Sequence, residues 1–251
     1  MKLSIGSATA LGRRPLNQDA WVTIPDAGLF AVADGVGGEP GGEVASALAI
    51  RALERFFAQA DADEREGMVD SARLDLAFRM AHRDIITEAS AGKYRSMGTT
   101  LAAVLVSGDR AVVGHTGDSR VYRRVEGRLE QLTVDHNVYE RLARVEGISL
   151  LSPSLGGALT RALTPRCNAR PDLRSIALEP GDVLLLCTDG VSGPLEPYEI
   201  QDLLAQSPEQ AARGLVEEAI AVGGTDNATA VVIRIRSEER RVGKECISLC
   251  R

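Results

Sequence analysis

The sequence predicts a domain of the α+β class, in which antiparallel strands and pairs of helices occupy separate stretches of chain. Two observations predict this class. Short apolar runs joined by tight turns recur before residue 35 and between residues 96 and 132, as they do in β-hairpins. Longer stretches with apolar residues at helical spacing come in consecutive pairs, after residue 43 and after residue 197. The length of 251 residues is typical of one large domain.

The charge and composition exclude several classes of function. The formal charge is -6 and the isoelectric point is near 5.3, which argues against a general nucleic-acid binder or a protein of anionic membranes. No apolar run approaches the roughly 20 residues that span a bilayer. The first residues contain no long apolar segment, so we expect no signal peptide and a cytoplasmic location.

The last sixteen residues form a separate segment. Residues 236–251 resemble a translated sequencing adapter joined to a truncated reading frame, and the strand pattern stops abruptly before them. The alternative is a native basic tail. We exclude this segment from the predicted domain, which covers residues 1–235. Two cysteines remain, Cys167 and Cys187, and their spacing gives no sign of a disulfide framework.

The first predicted hairpin organises the chain. A weak strand at 3–9 and a polar loop precede strands at 20–24 and 29–33, which a short turn joins. Asp19 and Asp34 then lie at the open end of this hairpin, close enough for their carboxylates to converge. A register slip of one residue would separate them.

The rest of the chain continues the same pattern. The further predicted elements are helices at 43–59 and around 74–86, strands at 101–106, 111–115, 121–122 and 129–132, a short helix at 138–145, a strand at 183–187, helices at 197–205 and 208–222, and a strand at 228–235. Residues 147–170 have little periodicity, and a segment of this length is typical of a binding loop or lid.

Five aspartates lie at predicted strand edges, beside a glycine or a turn. They are Asp19, Asp34, Asp118, Asp189 and Asp226. One or two such residues would be ordinary turn aspartates. Five, of which Asp34 and Asp189 directly follow apolar strands, indicate convergence on hard cations. Carboxylates suit Mg²⁺ or Mn²⁺ better than Zn²⁺, which prefers histidine and cysteine, and none of the three histidines forms a close pair in the sequence.

Six short segments carry a family resemblance. In order, they are RxxNQD, VADGVGG, GTT, GDSR, LLCTDG and GTDNAT, between residues 14 and 229. Together they resemble the metal-dependent Ser/Thr protein phosphatases of the 2C type, over about residues 1–235. The resemblance implies a β-sandwich of two antiparallel sheets flanked by pairs of antiparallel helices. It also implies hydrolysis of phosphoserine and phosphothreonine on proteins by a hydroxide that two metal ions hold.

The resemblance assigns the metal ligands. Asp34 is implied to bridge two Mn²⁺ or Mg²⁺ ions, and the carbonyl of Gly35 to bind one of them. Asp189 and Asp226 are implied to complete the second site, and Asp19 to hold a metal-bound water.

Two further roles come from the resemblance. Asp118, with Asp189, is implied to form a third metal site. Arg14 is implied to bind the substrate phosphate, a task that suits the paired donors of a guanidinium. The general acid stays unassigned, because His115 and His136 are more simply read as supporting or core residues.

The implied partners are phosphorylated proteins, including a Ser/Thr kinase and its targets. We expect a monomer that binds neither nucleic acid nor membranes. Two alternatives stay open: a regulator-type phosphatase that acts on a single anti-sigma-factor antagonist, and a pseudophosphatase that keeps the fold as a binding module.

Overall fold

The computed structural model describes residues 1–36, 40–58, 67–143, 157–167 and 170–237. These residues form two five-stranded antiparallel sheets that pack face to face, with helices on both outer surfaces. The sandwich implied by the resemblance is therefore confirmed.

The strands follow the predicted hairpins closely. In chain order they are β1 Lys2–Ala10, β2 Asp19–Ile24, β3 Leu29–Asp34, β4 Leu101–Ser107, β5 Arg110–Thr116, β6 Arg120–Val125, β7 Arg128–Gln131, β8 Asp172–Ala177, β9 Val183–Cys187 and β10 Ala228–Arg236. One sheet has the order β1-β10-β9-β6-β7, and the other has the order β2-β3-β4-β5-β8.

The helices cover the outer faces of both sheets. They are α1 Gly42–Ala58, α2 Asp70–Ser90, α3 Val138–Ala143, α4 Asp189–Ser192, α5 Pro197–Leu203 and α6 Pro208–Ala221. Helix α1 packs on β2 and β3, whereas α6 packs on β1 and β10. No helix among the described residues is long and apolar enough to cross a membrane.

Three apolar layers hold the elements together, and β3 shows why. Side chains of a strand alternate between its two faces. Leu29 and Ala31 therefore pack against the helical layer of α1 and α2, while Phe30 and Val32 fill the space between the sheets. All four are fully buried, so the strand that delivers Asp34 is fixed on both faces.

The structure differs from the predicted elements in three places. Strand β8 was not predicted, because it is an edge strand whose side chains are mostly exposed and polar. Helix α4 begins at Asp189, where an Asp-Gly turn was expected. Strand β10 extends to Arg236, which pairs with Lys2, one residue beyond the predicted domain boundary.

Two predictions concern residues that the structure describes only in part. The helix at 138–145 is described as far as Ala143. Within the loop at 147–170, only 157–167 and 170 belong to the described residues.

Candidate metal centre

The β2–β3 hairpin brings the first two predicted aspartates together. Its register pairs Asp19 directly with Asp34. The backbone of Asp34 is then held from β4: its amide donates to Thr100 Oγ1 at 3.0 Å, and its carbonyl accepts from the Thr100 amide at 2.8 Å. Gly35 follows, and a Cβ at this position would fall 2.4 Å from the backbone of Gly42. Only glycine fits where the chain turns under α1.

The second sheet supplies two more carboxylates. Asp189 is the first residue of α4, separated by one residue from the fully buried β9, and Asp226 lies two residues before β10. Because β9 and β10 are neighbours in the sheet, both aspartates reach the same end of the sandwich. The charge of Asp189 raises the pKa of Asp34, so carboxylates from the two sheets lie close together here.

Four of the five aspartates line one cavity of about 400 Å³, which we call the acidic cavity. Its lining residues are Arg14, Gln18, Asp34, Gly35, Val36, Thr100, Asp118, Gly157, Ala158, Leu159, Asp189 and Asp226. Asp19 lies behind this lining and is 9% exposed. The structure thus brings together the aspartates that the sequence analysis singled out, along with Arg14 and Gly35.

Two buried carboxylate oxygens in this region have no hydrogen-bond partner. Asp19 Oδ2 accepts from Thr188 Oγ1 at 2.9 Å and from Thr229 Oγ1 at 2.6 Å. Among the described residues, however, Asp19 Oδ1 and Asp189 Oδ1 are buried without any donor. A buried acceptor left without a partner costs about 1–3 kcal/mol. Such atoms are available as ligands.

The carboxylates also stabilise one another in the protonated form. Burial, with the charges of neighbouring aspartates, raises the pKa of Asp19 and of Asp118 to about 7. Burial, and then the charge of Asp189, raises the pKa of Asp34 well above its usual range, and burial also raises the pKa of Asp189. The raised pKa values show that the ionised carboxylates repel one another and are poorly solvated in this region. A bound cation would offset both effects.

The chemistry of the donor set fits a hard divalent cation. It consists of carboxylate oxygens and one glycine backbone, which suits Mg²⁺ or Mn²⁺. Among the described residues, no histidine or cysteine lines the cavity, so the donor set does not resemble a zinc site.

Arg14 lines the acidic cavity and is partly exposed to solvent. Its Nη2 donates to Asp226 Oδ2 at 2.6 Å, and the two side chains are 44% and 38% exposed. The loop that carries Arg14 is tied to the same segment, because the Arg13 amide donates to the Thr225 carbonyl and the Gln18 amide to Asn227 Oδ1. The guanidinium therefore faces both the acidic cavity and solvent.

The sequence analysis missed three residues that support the site. Thr188 and Thr229 hold Asp19, and Asn227 holds the loop of Arg14. All three lie beside the predicted aspartates, within LLCTDG and GTDNAT. Their position next to a candidate ligand was the available signal.

His115 and His136 do not line the acidic cavity. His115 and His136 stack with ring centroids 4.5 Å apart, and His115 Nε2 contacts the Val134 carbonyl at 2.8 Å. Burial lowers the pKa of both rings. Neither ring lines the cavity among the described residues, so the structure offers neither as a proton donor there.

Comparison with known proteins gives a consistent result. A family profile described as "Protein phosphatase 2C" matches residues 9–222. The chain is 39% identical over 225 residues to the serine/threonine protein phosphatase PstP of Mycobacterium tuberculosis, covering 87% of this chain and 42% of that protein. It therefore spans about two fifths of the length of this relative.

A shorter relative and a solved structure are covered more fully. The chain is 30% identical to the serine/threonine phosphatase stp of Listeria welshimeri, covering 82% of this chain and 83% of that protein. The crystal structure of the catalytic domain of PstP in complex with two manganese ions superposes with a TM-score of 0.81 at 33% identity, covering 94% of this chain and 100% of that one.

Proposed function

The chain belongs to the protein phosphatase 2C family, and on this premise we propose that it hydrolyses phosphoserine and phosphothreonine on proteins, with Mn²⁺ or Mg²⁺ as cofactor. The observation that carries the proposal is the acidic cavity, where carboxylates from both sheets meet with unpartnered buried oxygens and raised pKa values. The PstP catalytic domain that the chain resembles contains two manganese ions.

In the proposed site, Asp34, the Gly35 carbonyl, Asp189 and Asp226 would hold two ions, and Asp118 with Asp189 would hold a third. Two divalent cations in such a site would neutralise the phosphate and lower the pKa of a water molecule. Asp19 acts through its free atom: the two threonine hydroxyls occupy Oδ2, which leaves Oδ1 to accept a hydrogen bond from water.

Arg14 is the proposed phosphate-binding residue. Its guanidinium is half-exposed at the cavity edge, where its paired donors can bind two phosphate oxygens at once. In the structure it pairs with Asp226, so it binds an anionic oxygen in this position. The general acid is left unassigned.

The proposed substrates are phosphorylated proteins, including a Ser/Thr kinase and its targets. The relatives are Ser/Thr protein phosphatases, and no finding favours the regulator-type phosphatase or the pseudophosphatase. We also propose that residues 1–235 form the catalytic domain and that 236–251 are a non-native extension. A monomeric state, a cytoplasmic location and the lack of nucleic-acid or membrane partners stay predictions.

The test is a metal titration with a phosphothreonine peptide. We expect no phosphate release in chelator and saturable release as Mn²⁺ is added. Asp34→Asn should lower turnover at least about 100-fold while the circular dichroism spectrum stays unchanged. The control is Asp75→Asn, which removes a carboxylate from the surface of α2. Near wild-type turnover in Asp34→Asn would show that the site assignment is wrong.

A further inference from the structure

A second group of ligand-type side chains lies beside the acidic cavity. His115, His136 and Asp172 have ligand atoms within 4.8 Å of one another, and Arg161 contacts two of them. We call these four residues the histidine cluster. No role in the proposed function accounts for them.

The geometry of the histidine cluster is unsuited to a metal ion. The two rings are nearly parallel, with 11° between their planes. Because the lone pair of an imidazole nitrogen lies in the ring plane, stacked rings cannot direct both lone pairs at one ion. The Arg161 guanidinium also lies 2.9 Å from His136 Nε2 and 2.8 Å from Asp172 Oδ1, where it supplies the positive charge.

The contacts of His136 point to the backbone instead. The Gly117 amide donates to His136 Nδ1 at 3.1 Å. Since a backbone amide can only donate, Nδ1 is the acceptor and the neutral ring carries its proton on Nε2, which donates to Asp172 Oδ2 at 3.0 Å. With this tautomer the nearby Arg161 Nη1 makes no hydrogen bond to Nε2 and donates to Asp172 Oδ1 instead. The His136 amide donates in turn to the Gly117 carbonyl at 2.9 Å. His136 therefore forms hydrogen bonds with both the backbone amide and the backbone carbonyl of Gly117.

Gly117 directly precedes Asp118, a lining residue of the acidic cavity. Its φ of +111° is a conformation that other residues rarely adopt, and a Cβ here would fall 2.6 Å from the Thr100 side chain. Gly117 therefore has no side chain of its own to fix its backbone, although Ser119, two residues on, is hydrogen-bonded to Thr100 Oγ1 at 2.6 Å. The ring of His136 supplies the fixing contact from the neighbouring segment.

The segment around His136 also contacts a second part of the cavity lining. The His136 carbonyl accepts from the Thr160 amide at 2.8 Å, and the Val138 amide donates to the Ala158 carbonyl at 2.9 Å. Ala158 and Leu159 line the acidic cavity, as Asp118 does. One segment, centred on His136, thus joins two walls of the site.

We propose that His136 is a positioning residue that fixes Asp118 and the Ala158–Leu159 wall through its contacts with Gly117 and Thr160. Asp172 sets the tautomer of its ring in the way that carboxylates orient histidines behind metal sites. This inference rests on the proposed function, in which Asp118 holds a divalent ion.

The test uses two substitutions that each keep one half of the imidazole. Asn places its amide oxygen near the position of Nδ1 and can still accept from Gly117. Gln places its amide near the position of Nε2, so it keeps the contact with Asp172 and loses the one with Gly117. We expect His136→Gln to weaken the weakest Mn²⁺ site about tenfold, and His136→Asn to stay within about twofold of wild type.

Two measurements report on the proposal without turnover. Electron paramagnetic resonance of free Mn²⁺ gives the binding isotherm, and amide hydrogen exchange of Gly117 in the metal-free protein gives the state of the turn. In His136→Gln, the exchange rate of the Gly117 amide should rise at least about tenfold, because this amide loses its hydrogen bond. The matched control is His115→Gln, a change in the stacked and also buried ring, whose hydrogen bond goes to the Val134 carbonyl and not to Gly117 or Thr160.

The outcomes separate the inference from the function on which it rests. If His136→Gln and His136→Asn give the same isotherm and the same exchange, the contact with Gly117 is not what matters and the inference is overturned. The same holds if His115→Gln produces an equal shift, since the effect would then be general packing. If the wild-type protein binds no Mn²⁺ and hydrolyses no phosphopeptide, the proposed function itself fails.

Discussion

The acidic cavity and the histidine cluster lie side by side, and both collect side chains that bind metals. In the acidic cavity, carboxylates approach one another with buried oxygens that have no donor. In the histidine cluster, the ligand atoms already have partners: His136 accepts from an amide and donates to Asp172, Asp172 also accepts from the Arg161 guanidinium, and His115 Nε2 contacts the Val134 carbonyl. The comparison teaches that unsatisfied ligand atoms, more than the proximity of ligand-type residues, identify a metal site.

The largest expected difference between the two regions is in stabilisation by Mn²⁺. A ligand at 100 times its dissociation constant adds about 2.7 kcal/mol to the free energy of unfolding, or about 5–10 °C in melting temperature for a chain of this size. Asp189→Asn should abolish most of this increase, because it removes a carboxylate shared by the proposed ions. It should also raise the melting temperature of the metal-free protein, since one buried charge is gone.

Thermal melts with and without Mn²⁺ measure both effects. His115→Gln is the corresponding change in the histidine cluster and should leave the Mn²⁺-induced increase intact. An Asp189→Asn protein that Mn²⁺ stabilises as strongly as wild type would break the distinction between the two regions.

A smaller effect is expected at the edge of the acidic cavity. Arg14→Lys keeps the positive charge but loses the paired donors that bind two phosphate oxygens. We expect the KM for a phosphothreonine peptide to rise about tenfold, with little change in Mn²⁺ affinity. Steady-state kinetics at saturating Mn²⁺ measure this. An unchanged KM would show that Arg14 does not bind the phosphate.

The smallest effect concerns pH, where the two regions act in opposite directions. The folded pKa of Asp19 and Asp118 is about 7, above the ordinary value of 3.8. The folded state binds more protons between these values, so the cavity loses stability as pH rises from about 4 to 7. The folded pKa of His115 is lowered from 6.5, so the histidine cluster loses stability as pH falls below about 6.5.

Melting temperatures of the metal-free protein at pH 5.5 and pH 8 sharpen this contrast. We expect the value at pH 5.5 to be higher by about 2–5 °C. Asp118→Asn should reduce the difference. His115→Gln should enlarge the difference, because the buried His115 ring lowers stability at pH 5.5 and its removal eliminates that effect. This ring lies near the charged or titratable groups Asp172, Arg161, Asp135 and His136. A difference of the opposite sign would contradict the raised carboxylate pKa values.

Much of the site could be predicted because it depends on local pattern. An apolar strand followed by Asp-Gly identified Asp34 and Asp189, and hairpin pairing predicted that Asp19 meets Asp34. The start of α4 was not predictable in the same way. Aspartate is favoured both in turns and in the first turn of a helix, so the local sequence at Asp189 does not choose between them.

Other features depend on contacts between distant parts of the chain. Thr188 and Thr229 are separated from Asp19 by 169 and 210 positions, and nothing in the local sequence indicates that their hydroxyls meet one carboxylate. The apolar residues of strand β8 do not alternate along the strand and are mostly exposed, so they show no strand pattern, yet the strand carries Asp172. The packing of one sheet on the other came from the resemblance and not from periodicity.

The proposed site lies across the boundary between the two sheets. Asp19 and Asp34 belong to the sheet of β2 and β3, whereas Asp189 and Asp226 flank β9 and β10 of the other. An ion bound by both sets would act as a non-covalent cross-link between the two sheets at one end of the sandwich. Binding of the ion would then also stabilise the contact between the two sheets. Without divalent ions, we expect the sheets to separate first at this end of the sandwich.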